Sequence, residues 1–475
     1  MPFTSRYRAA PAVTALGDGF YDVVPAAQFP MHRLRFRNGR AAASVGLDAL
    51  TPAEWEAHFA RFSPLESNLE APLALRYHGH QFDVYNPALG DGRGFLFAQL
   101  LEAPPPDGLG RLLDLGTKGS GRTPWSRGGD GKLTLKGGVR EVLATEMLEA
   151  LSVPTSRTFS LFETGEALMR GDEPSPTRSS VLVRLSHSHV RFGSFQRFAH
   201  LGDAARCKTL FEYVIANLLP ECTTPATLLR EVTRRSADLC AAWMIAGFVH
   251  GVLNSDNMNV TGESFDYGPY RFLPRYDPSF VAAYFDHSGL YAFGRQPEAV
   301  FRNLTRLADA LSTMAPRTEL ADALRPFEDD LSDAVRVRFL ARLGVQSRSV
   351  DDDSTLIGAA FDLLEATGVG YDQFFFDWQG GVVSEARAMA SPERDAYRGE
   401  PFDVFRRALE GHAPVAPARL DDAYFQRTRP CSLLIDELEA IWSPIAATDD
   451  WSRFEAKVAA IREMGAATGA SHDRS

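Results

Sequence analysis

A short polar segment near the middle of the chain constrains its fold more than any other. It runs His250-Gly-Val-Leu-Asn-Ser-Asp-Asn257 and is followed nine residues later by Asp266-Tyr-Gly268. Kinase-type phosphotransferases place a base Asp soon after such a His, then a metal-binding Asn, then a second metal-binding Asp in a triplet of this kind. Here Val252 stands where the base is needed, and valine cannot accept a proton. The segment therefore predicts a kinase-like protein that is either inactive or takes its base from elsewhere.

Three side chains of this segment are candidates for catalysis and metal binding. Asn257 and Asp266 supply oxygen ligands of the kind that Mg²⁺ or Mn²⁺ accepts. Asp256, adjacent to Asn257, needs only hydrogen-bond reach to an attacking hydroxyl to act as general base. The alternative for Asp256 is an ordinary aspartate in a polar turn.

Length and charge narrow the class of protein. A chain of 475 residues suffices for two or three domains or lobes. The net charge of −11 argues against nucleic-acid binding through a basic surface. The longest apolar run, 241–249, is too short to span a bilayer, and the N-terminus lacks the apolar core of a signal peptide. Four cysteines without a C-x-x-C pair fit a reducing compartment, so we expect a cytoplasmic protein. From the charge and the apolar run we expect no nucleic-acid or membrane partners.

The predicted elements change character along the chain. Residues 1–50 show no regular pattern, and Thr51 begins a capped helix. The next region predicts strands at 93–101, 111–118, 157–163 and 180–185, a hairpin loop at 104–110 and one helix at 139–151. Later segments predict helices at 208–219, 228–249, 297–314, 318–343 and 355–367. This order predicts an α+β, protein-kinase-like two-lobe fold, with a strand-rich N-lobe at 1–195, a helical C-lobe at 196–465 and a disordered tail at 466–475.

Glycine-rich segments and basic residues supply candidate phosphate contacts. In Gly90-Asp-Gly-Arg93-Gly, glycines let backbone N–H groups approach phosphate and Arg93 adds a planar donor fork. The alternative is a tight turn. Lys118 ends a strand, and Glu141, in the first turn of the next predicted helix, is placed to pair with it as in kinases. The alternative for both is an exposed charge.

Further basic residues lie in a second glycine-rich loop, 119–131, and near the expected lobe junction. The loop is either a phosphate-contacting loop or a mobile surface loop. Arg184 and Arg191 are placed to neutralise a polyphosphate. The H-x-H pairs at residues 78–80 and 187–189 lack a Cys or carboxylate that would complete a zinc site, so we predict none.

Together these motifs resemble the selenoprotein O family of protein adenylyltransferases, which have a pseudokinase fold. The similarity is strongest over residues 60–315, and we expect it to weaken after about residue 400. The matching segments are Tyr77–Phe82, Asn86–Arg93, Lys118–Arg127 with Asp130-Gly131, Arg184–Phe195, His250–Val260, Asp266–Tyr270 and Gln296–Leu311.

The resemblance implies a reaction and a role for each matching residue. ATP is bound in reverse relative to kinases, so AMP is transferred to a protein Ser, Thr or Tyr hydroxyl and pyrophosphate leaves. It implies Asp256 as proton acceptor, Asn257 and Asp266 as ligands of Mg²⁺ or Mn²⁺, and Glu141 as the partner of Lys118. The implied nucleotide-binding residues are Gly90, Gly92, Arg93, Lys118, Asp130, Gly131, Arg184, Arg191 and Asp266.

Some positions depart from the family pattern. Gly137-Gly138, preceded by Lys136, stands where relatives usually carry a Ser pair after Arg, and Asp83 stands where they tend to have Gly. No cysteine lies near residue 475, so the sequence gives no support for redox control there.

Three functions follow as hypotheses. The first is AMP transfer from ATP to other proteins or to the chain itself, with UTP as a further candidate donor. The alternatives are an atypical protein kinase, which Val252 disfavours, and a catalytically inactive nucleotide-binding scaffold.

Overall fold

The computed structural model of this chain describes residues 3–103, 110–171 and 173–469. Its first half is rich in strands and its second half is helical, so the predicted α+β class is confirmed. The described strands, β1 to β12 in chain order, are Tyr21–Val23, Arg33–Arg37, Leu73–Leu75, Gly79–Gln81, Val84–Asn86, Leu96–Leu101, Leu112–Lys118, Leu133–Thr134, Arg157–Leu168, Thr177–Ser186, Phe248–Val249 and Arg271–Phe272.

The α-helices occupy most of the remaining chain. In the described residues, α1 to α15 are Gly39–Ser44, Pro52–Phe59, Leu135–Ala150, Phe192–His200, Ala204–Asn217, Pro225–Ile245, Gln296–Leu311, Arg317–Leu324, Phe327–Leu343, Val350–Thr367, Tyr371–Asp377, Glu385–Ala390, Glu400–Leu409, Ile435–Thr448 and Ser452–Thr468. The predicted capped helix at Thr51 is confirmed as α2, since Thr51 and Glu54 form a reciprocal capping box.

One antiparallel sheet organises the first half. Its strand order is β1-β3-β6-β7-β10-β9-β2, and β8 pairs with β10. The predicted strands near 93–101, 111–118, 157–163 and 180–185 are confirmed as β6, β7, β9 and β10. The predicted loop at 104–110 lies, apart from its last residue, outside the described residues.

The sheet is buried on both faces. Alternate side chains of each strand point to opposite faces, so each strand contributes to two cores. On β10, Leu182 packs into the core that contains α3, whereas Val181 and Val183 face the core that contains α2. On that second face Trp55 stacks on Phe159, with 5.0 Å between ring centroids. This double burial fixes β7 and β10, the two central strands, which carry Lys118 and Arg184 on the same face of the sheet.

The helical half surrounds α6, which begins after a Thr224 cap with Pro225 at its first position. The predicted helix at 228–249 ends at Ile245, and residues 248–249 form β11 instead. The predicted helix at 318–343 is two helices, α8 and α9, because Pro326 cannot continue α8.

The last helices return to the sheet. Glu146 of α3 pairs with Arg462 of α15 at 2.7 Å, and Phe36 of β2 meets Phe454 edge to face. Asp449, between α14 and α15, contacts Arg35 of β2 at 2.7 Å. The predicted C-lobe range of 196–465 thus includes helices that pack on the sheet, and its predicted start falls inside α4.

Two predictions about the ends of the chain need correction. Residues 1–50 are not irregular throughout, because they contain β1, β2 and α1. The α15 helix continues to Thr468, into the predicted tail, whose residues 470–475 lie outside the described residues. None of the helices within residues 3–103, 110–171 and 173–469 has the length and apolar composition needed to cross a bilayer.

Candidate active site

A polar cleft of about 750 Å³ lies where the sheet meets the helical half. The structure brings almost all predicted site residues to its wall. These are Gly90, Gly92, Arg93, Lys118, Asp130, Gly131, Arg184, Arg191, Asp256, Asn257 and Asp266. Glu141 does not line the cleft, but it forms an ion pair with Lys118, which does. Sequence reasoning did not single out Tyr77, Gln81, Lys132 and Arg170, which also line it.

Lys118 and Glu141 form a buried ion pair at the back of the cleft. Lys118 ends β7 and Glu141 projects from α3; both are almost fully buried, with 4% and 3% exposure, and the two side chains are in contact. The alternative of two exposed charges is therefore wrong. Glu141 lies in the second turn of α3, not the first, because the helix already begins at Leu135.

Asp266 is the centre of a cluster of cations. Its carboxylate lies 3.2 Å from Lys118, 3.0 Å from Arg184 and 3.3 Å from Arg191. Burial acts to raise the pKa of Asp266, but these three charges hold it well below its usual range. Its backbone is left-handed, with φ 64°, which turns the side chain back towards β7 and β10.

Arg191 connects both aspartates of the loop. Its guanidinium donates a hydrogen bond to the backbone carbonyl of Asp256 at 2.8 Å and lies 3.4 Å from Asp91. It also stacks over the rings of Tyr77 and Phe265, at 4.4 and 4.8 Å from their centroids. Arg191 is thus engaged by the protein on several sides, and it holds the turn that contains Asp256 as well as lining the cleft.

Asp256 lies in a short 3₁₀ turn, Ser255–Asn257, and is 7% exposed. Burial raises its pKa to about 6, although the charge of Arg191 opposes this shift. Its Oδ2 lies 3.4 Å from the amide nitrogen of Gln81. A buried carboxylate at the cleft wall has the chemistry of a proton acceptor.

The glycine loops owe their composition partly to close packing. A Cβ on Gly92 would lie 2.7 Å from the carbonyl oxygen of Trp125, and one on Gly90 would collide with the Trp125 ring. Gly131 has φ 69°, and a Cβ there would meet the backbone of Gly121. The two loops therefore interlock, and only glycine permits this.

The cleft carries unbalanced positive charge despite the acidic composition of the chain. Arg93, Arg122 and Arg127 line it, and none of them pairs with a carboxylate in the described part of the chain. Asp130, predicted to contact nucleotide, lines the cleft and accepts hydrogen bonds from Arg170 at 2.8 Å and from the backbone N–H of Lys132 at 2.9 Å. Three guanidinium groups that form no ion pair with the described residues and lie in one cleft suit a polyanionic ligand.

The donor set fits a divalent metal that is shared with a phosphate ligand. The amide nitrogen of Asn257 donates to the carbonyl of Val252 at 2.9 Å, and no described residue donates to its Oδ1. The described residues contain no group of three or more His, Cys, Asp or Glu side chains that could hold a metal. Asn257 and Asp266 alone would thus leave most ligand positions to phosphate oxygens and water, as is usual for Mg²⁺.

Comparison with known proteins identifies the family. A family model described as protein adenylyltransferase SelO matches residues 4–462. The chain belongs to the SelO family. The match continues past residue 400, where the sequence resemblance was expected to weaken, and includes most of α15, the helix that packs on α3.

Individual relatives agree with this membership. A protein nucleotidyltransferase YdiU of Gloeobacter violaceus is 46% identical over 95% of this chain and 94% of its own length. The protein of that name from Synechococcus elongatus is 41% identical over 98% of this chain and 97% of its own. The protein of that name from Vibrio parahaemolyticus is 35% identical over 94% of this chain and 83% of its own length. Membership of the SelO family makes this chain an enzyme of the nucleotidyltransferase class.

Proposed function

We propose that this SelO-family chain transfers AMP from ATP to Ser, Thr or Tyr hydroxyls of proteins, itself included, and releases pyrophosphate. We further propose that the sheet and the helices around α6 act as the two lobes of a kinase-like fold, with the cleft between them as the ATP site. The names of the family and of its relatives, protein adenylyltransferase and protein nucleotidyltransferase, support nucleotidyl transfer to protein. The donor, the acceptor residues and the lobe arrangement are our inference.

One observation carries the proposal. Val252, at the position of a kinase base, lines the cleft without a proton-accepting group, whereas Asp256 lines the same cleft four residues later. A reaction at a different phosphorus needs its base at a different place, since the base must reach the attacking hydroxyl. The shift from residue 252 to 256 favours attack at the α-phosphate over attack at the γ-phosphate.

The proposed step balances with the residues at hand. The acceptor oxygen forms a bond to the α-phosphorus, its proton passes to the carboxylate of Asp256, and the bond from the α-phosphorus to the bridging oxygen breaks, so that pyrophosphate leaves with the electron pair. The fixed charges of Lys118, Arg93, Arg122 and Arg127 neutralise the phosphates as negative charge builds up. The proposed ATP contacts are Gly90, Gly92, Arg93, Lys118, Asp130, Gly131, Arg184, Arg191 and Asp266.

A divalent cation, Mg²⁺ or Mn²⁺, is part of the proposal. Asn257 and Asp266 would hold it, and it would supply positive charge to the phosphate oxygens. Within the chain itself, Asp266 is oriented by Lys118, Arg184 and Arg191, and Asn257 by its bond to Val252.

Labelled nucleotides test the reaction. Purified protein is incubated with a divalent metal and either α- or γ-labelled ATP, and the label on protein is measured, with intact-mass analysis for added AMP. We expect label from α-labelled ATP only, and its loss in Asp256→Ala. The matched control is Asp322→Ala, since the Asp322 side chain is 64% exposed on α8; it should behave as wild type.

Other outcomes point to the other functions. Label from γ-labelled but not α-labelled ATP would establish a kinase and refute AMP transfer. Thermal stabilisation by ATP without product under any metal would indicate an inactive nucleotide-binding scaffold. A parallel reaction with α-labelled UTP measures whether UMP is transferred.

A further inference from the structure

A β-hairpin covers the turn that holds Asp256. It consists of β4 and β5, and its backbone is bonded to the two residues before Asp256. The N–H of His80 donates to Ser255 Oγ at 2.8 Å, and the N–H of Phe82 donates to Asn254 Oδ1 at 3.2 Å. The hairpin and the catalytic turn therefore form one hydrogen-bonded unit.

Two helices fix the position of this unit. At the hairpin turn, Asp83 pairs with Arg302 of α7 at 2.9 Å and also with Arg306 of the same helix. On the other side, Ser255 Oγ donates to Gln196 Oε1 of α4 at 2.6 Å. The hairpin is thus held at its tip and beside the turn, so the side chains that it presents to Asp256 have a defined place.

The hairpin meets the two oxygens of Asp256 differently. A Cβ on Gly79 would lie 2.9 Å from Asp256 Oδ1, so the hairpin backbone packs directly against that oxygen. Oδ1 is buried and has no hydrogen-bond partner among the described residues. Oδ2 instead faces the amide nitrogen of Gln81 at 3.4 Å, and Gln81 and Asp256 both line the cleft. Oδ2 is therefore the oxygen whose environment the Gln81 side chain controls.

The amide of Gln81 is itself oriented by the hairpin. Its Oε1 accepts a hydrogen bond from Asn86 Nδ2 at 3.1 Å, across the β4–β5 pair. Asn86 Oδ1 in turn accepts from the N–H of Ala88 at 3.0 Å. Because Gln81 Oε1 accepts this hydrogen bond from Asn86, the Gln81 Nε2 donor points to Asp256.

We propose that Gln81 is a positioning residue for AMP transfer: its amide N–H holds Asp256 Oδ2 at the cleft wall in the orientation that takes the proton of the acceptor hydroxyl. This proposal rests on the proposed function. The distance of 3.4 Å is long for a hydrogen bond, as such contacts often are before substrate binds. Gln81 does not itself exchange a proton in this step; it acts through Asp256.

Two substitutions separate positioning from a purely structural role. Gln81→Glu has the same shape and keeps an acceptor for Asn86, but it replaces the donor facing Asp256 with a carboxylate oxygen. Gln81→Met keeps the approximate length and removes both polar atoms. If Gln81 merely ties the hairpin together, Glu should be tolerated better than Met. If it positions Asp256, Glu should be at least as damaging as Met.

The measurements are kcat and KM for ATP in transfer from α-labelled ATP, with melting temperature as a check of folding. We expect both variants to lower kcat about 10- to 100-fold, because small displacements of a reacting group have effects of this size. We expect KM for ATP to stay within about twofold of wild type, since ground-state binding is unaffected. The control Val84→Thr, at a position that is 69% exposed on the same hairpin, should match wild type.

The outcomes distinguish the two proposals. A wild-type chain without AMP transfer refutes the proposed function itself. An active wild type with an equally active Gln81→Glu variant overturns only the role of Gln81. A variant whose losses come with a lower melting temperature or a raised KM for ATP also overturns it, and assigns Gln81 to folding or nucleotide binding.

Discussion

Asp449 holds the C-terminal helices on the sheet, and replacing it by Asn should destabilise the protein. Its Oδ1 accepts hydrogen bonds from Arg35 and Arg178, both at 2.7 Å, and from Trp451 at 2.9 Å. Arg35 is nearly buried and keeps Glu163 as a second partner. Asp449 has φ 56°, a left-handed conformation that Asn tolerates, so Asp449→Asn removes charge without new backbone strain.

The size of the effect follows from these contacts. Hydrogen bonds to charged groups contribute about 1.5–3 kcal/mol each when well buried. Asp449 is 31% exposed, which weakens each bond through solvent screening, and Asn keeps one amide oxygen in place. We therefore expect the free energy of unfolding at pH 7 to fall by about 2 kcal/mol.

The same substitution should show a defined pH dependence. Burial acts to raise the pKa of Asp449, but the hydrogen bonds from Trp451, Arg178 and Arg35 outweigh it and hold that pKa below its usual range. A carboxyl with a lowered pKa in the folded state stabilises the protein fully above its unfolded pKa, about 4, and loses this contribution as the pH falls further. The difference between wild type and Asp449→Asn should therefore shrink below about pH 4.

Urea denaturation at pH 7 and pH 3.5 measures both effects, provided that circular dichroism and tryptophan fluorescence give coincident transitions. The control is Arg33→Ala: Arg33 also pairs with Asp449, at 2.9 Å, but is 57% exposed. Such a pair contributes about 0–1 kcal/mol, so its loss should be small. Equal stability of Asp449→Asn and wild type at pH 7, or an undiminished difference at pH 3.5, would refute the reasoning.

Three further predictions concern the cleft, the hairpin beside it and the packing of α3 on the sheet. Asp266→Asn removes the carboxylate shared by three cations and should lower AMP transfer at least ~100-fold; near-normal label transfer would contradict this. Gly79→Ala places a Cβ 2.9 Å from Asp256 Oδ1 and should lower kcat about tenfold or more without weakening the thermal stabilisation by ATP. Gly138→Ala puts a Cβ 2.8 Å from Ser180 Oγ and against Leu161, and overpacking should cost about 1–3 kcal/mol in a denaturation assay; an unchanged midpoint would show that α3 shifts freely.

Two of the departures from the family pattern, Gly138 and Asp83, have structural explanations. Gly138 lies where α3 packs closely on β9 and β10, so the local distance between helix and sheet favours glycine. Asp83 occupies a left-handed position, with φ 65°, at which glycine is the easy choice. Its carboxylate instead pairs with two arginines of α7, which ties the hairpin to the helical half.

Local sequence patterns predicted the elements that depend on local physics. The Thr51 capping box and the apolar spacing of α3 and α6 are set by near neighbours in sequence, so these helices were predicted to within a few residues. Pro326 interrupts a helical pattern that periodicity alone treats as continuous. The short strand β2 was missed although its residues, Arg-Leu-Arg-Phe-Arg, alternate between charged and apolar as in a half-buried strand.

The sequence by itself determined the chemistry that is available: an Asn and two aspartates in one loop, a valine in place of a base, and basic residues beside glycines. Tertiary structure decided which of these groups act on one another. Only the packing of β7, β10, α3 and the start of α4 buries Lys118 against Glu141 and directs three cations to Asp266. Only the β4–β5 hairpin, remote in sequence, places Gln81 beside Asp256. The physical reason is that burial and distance determine charge interactions, and both arise from contacts between segments far apart in the chain.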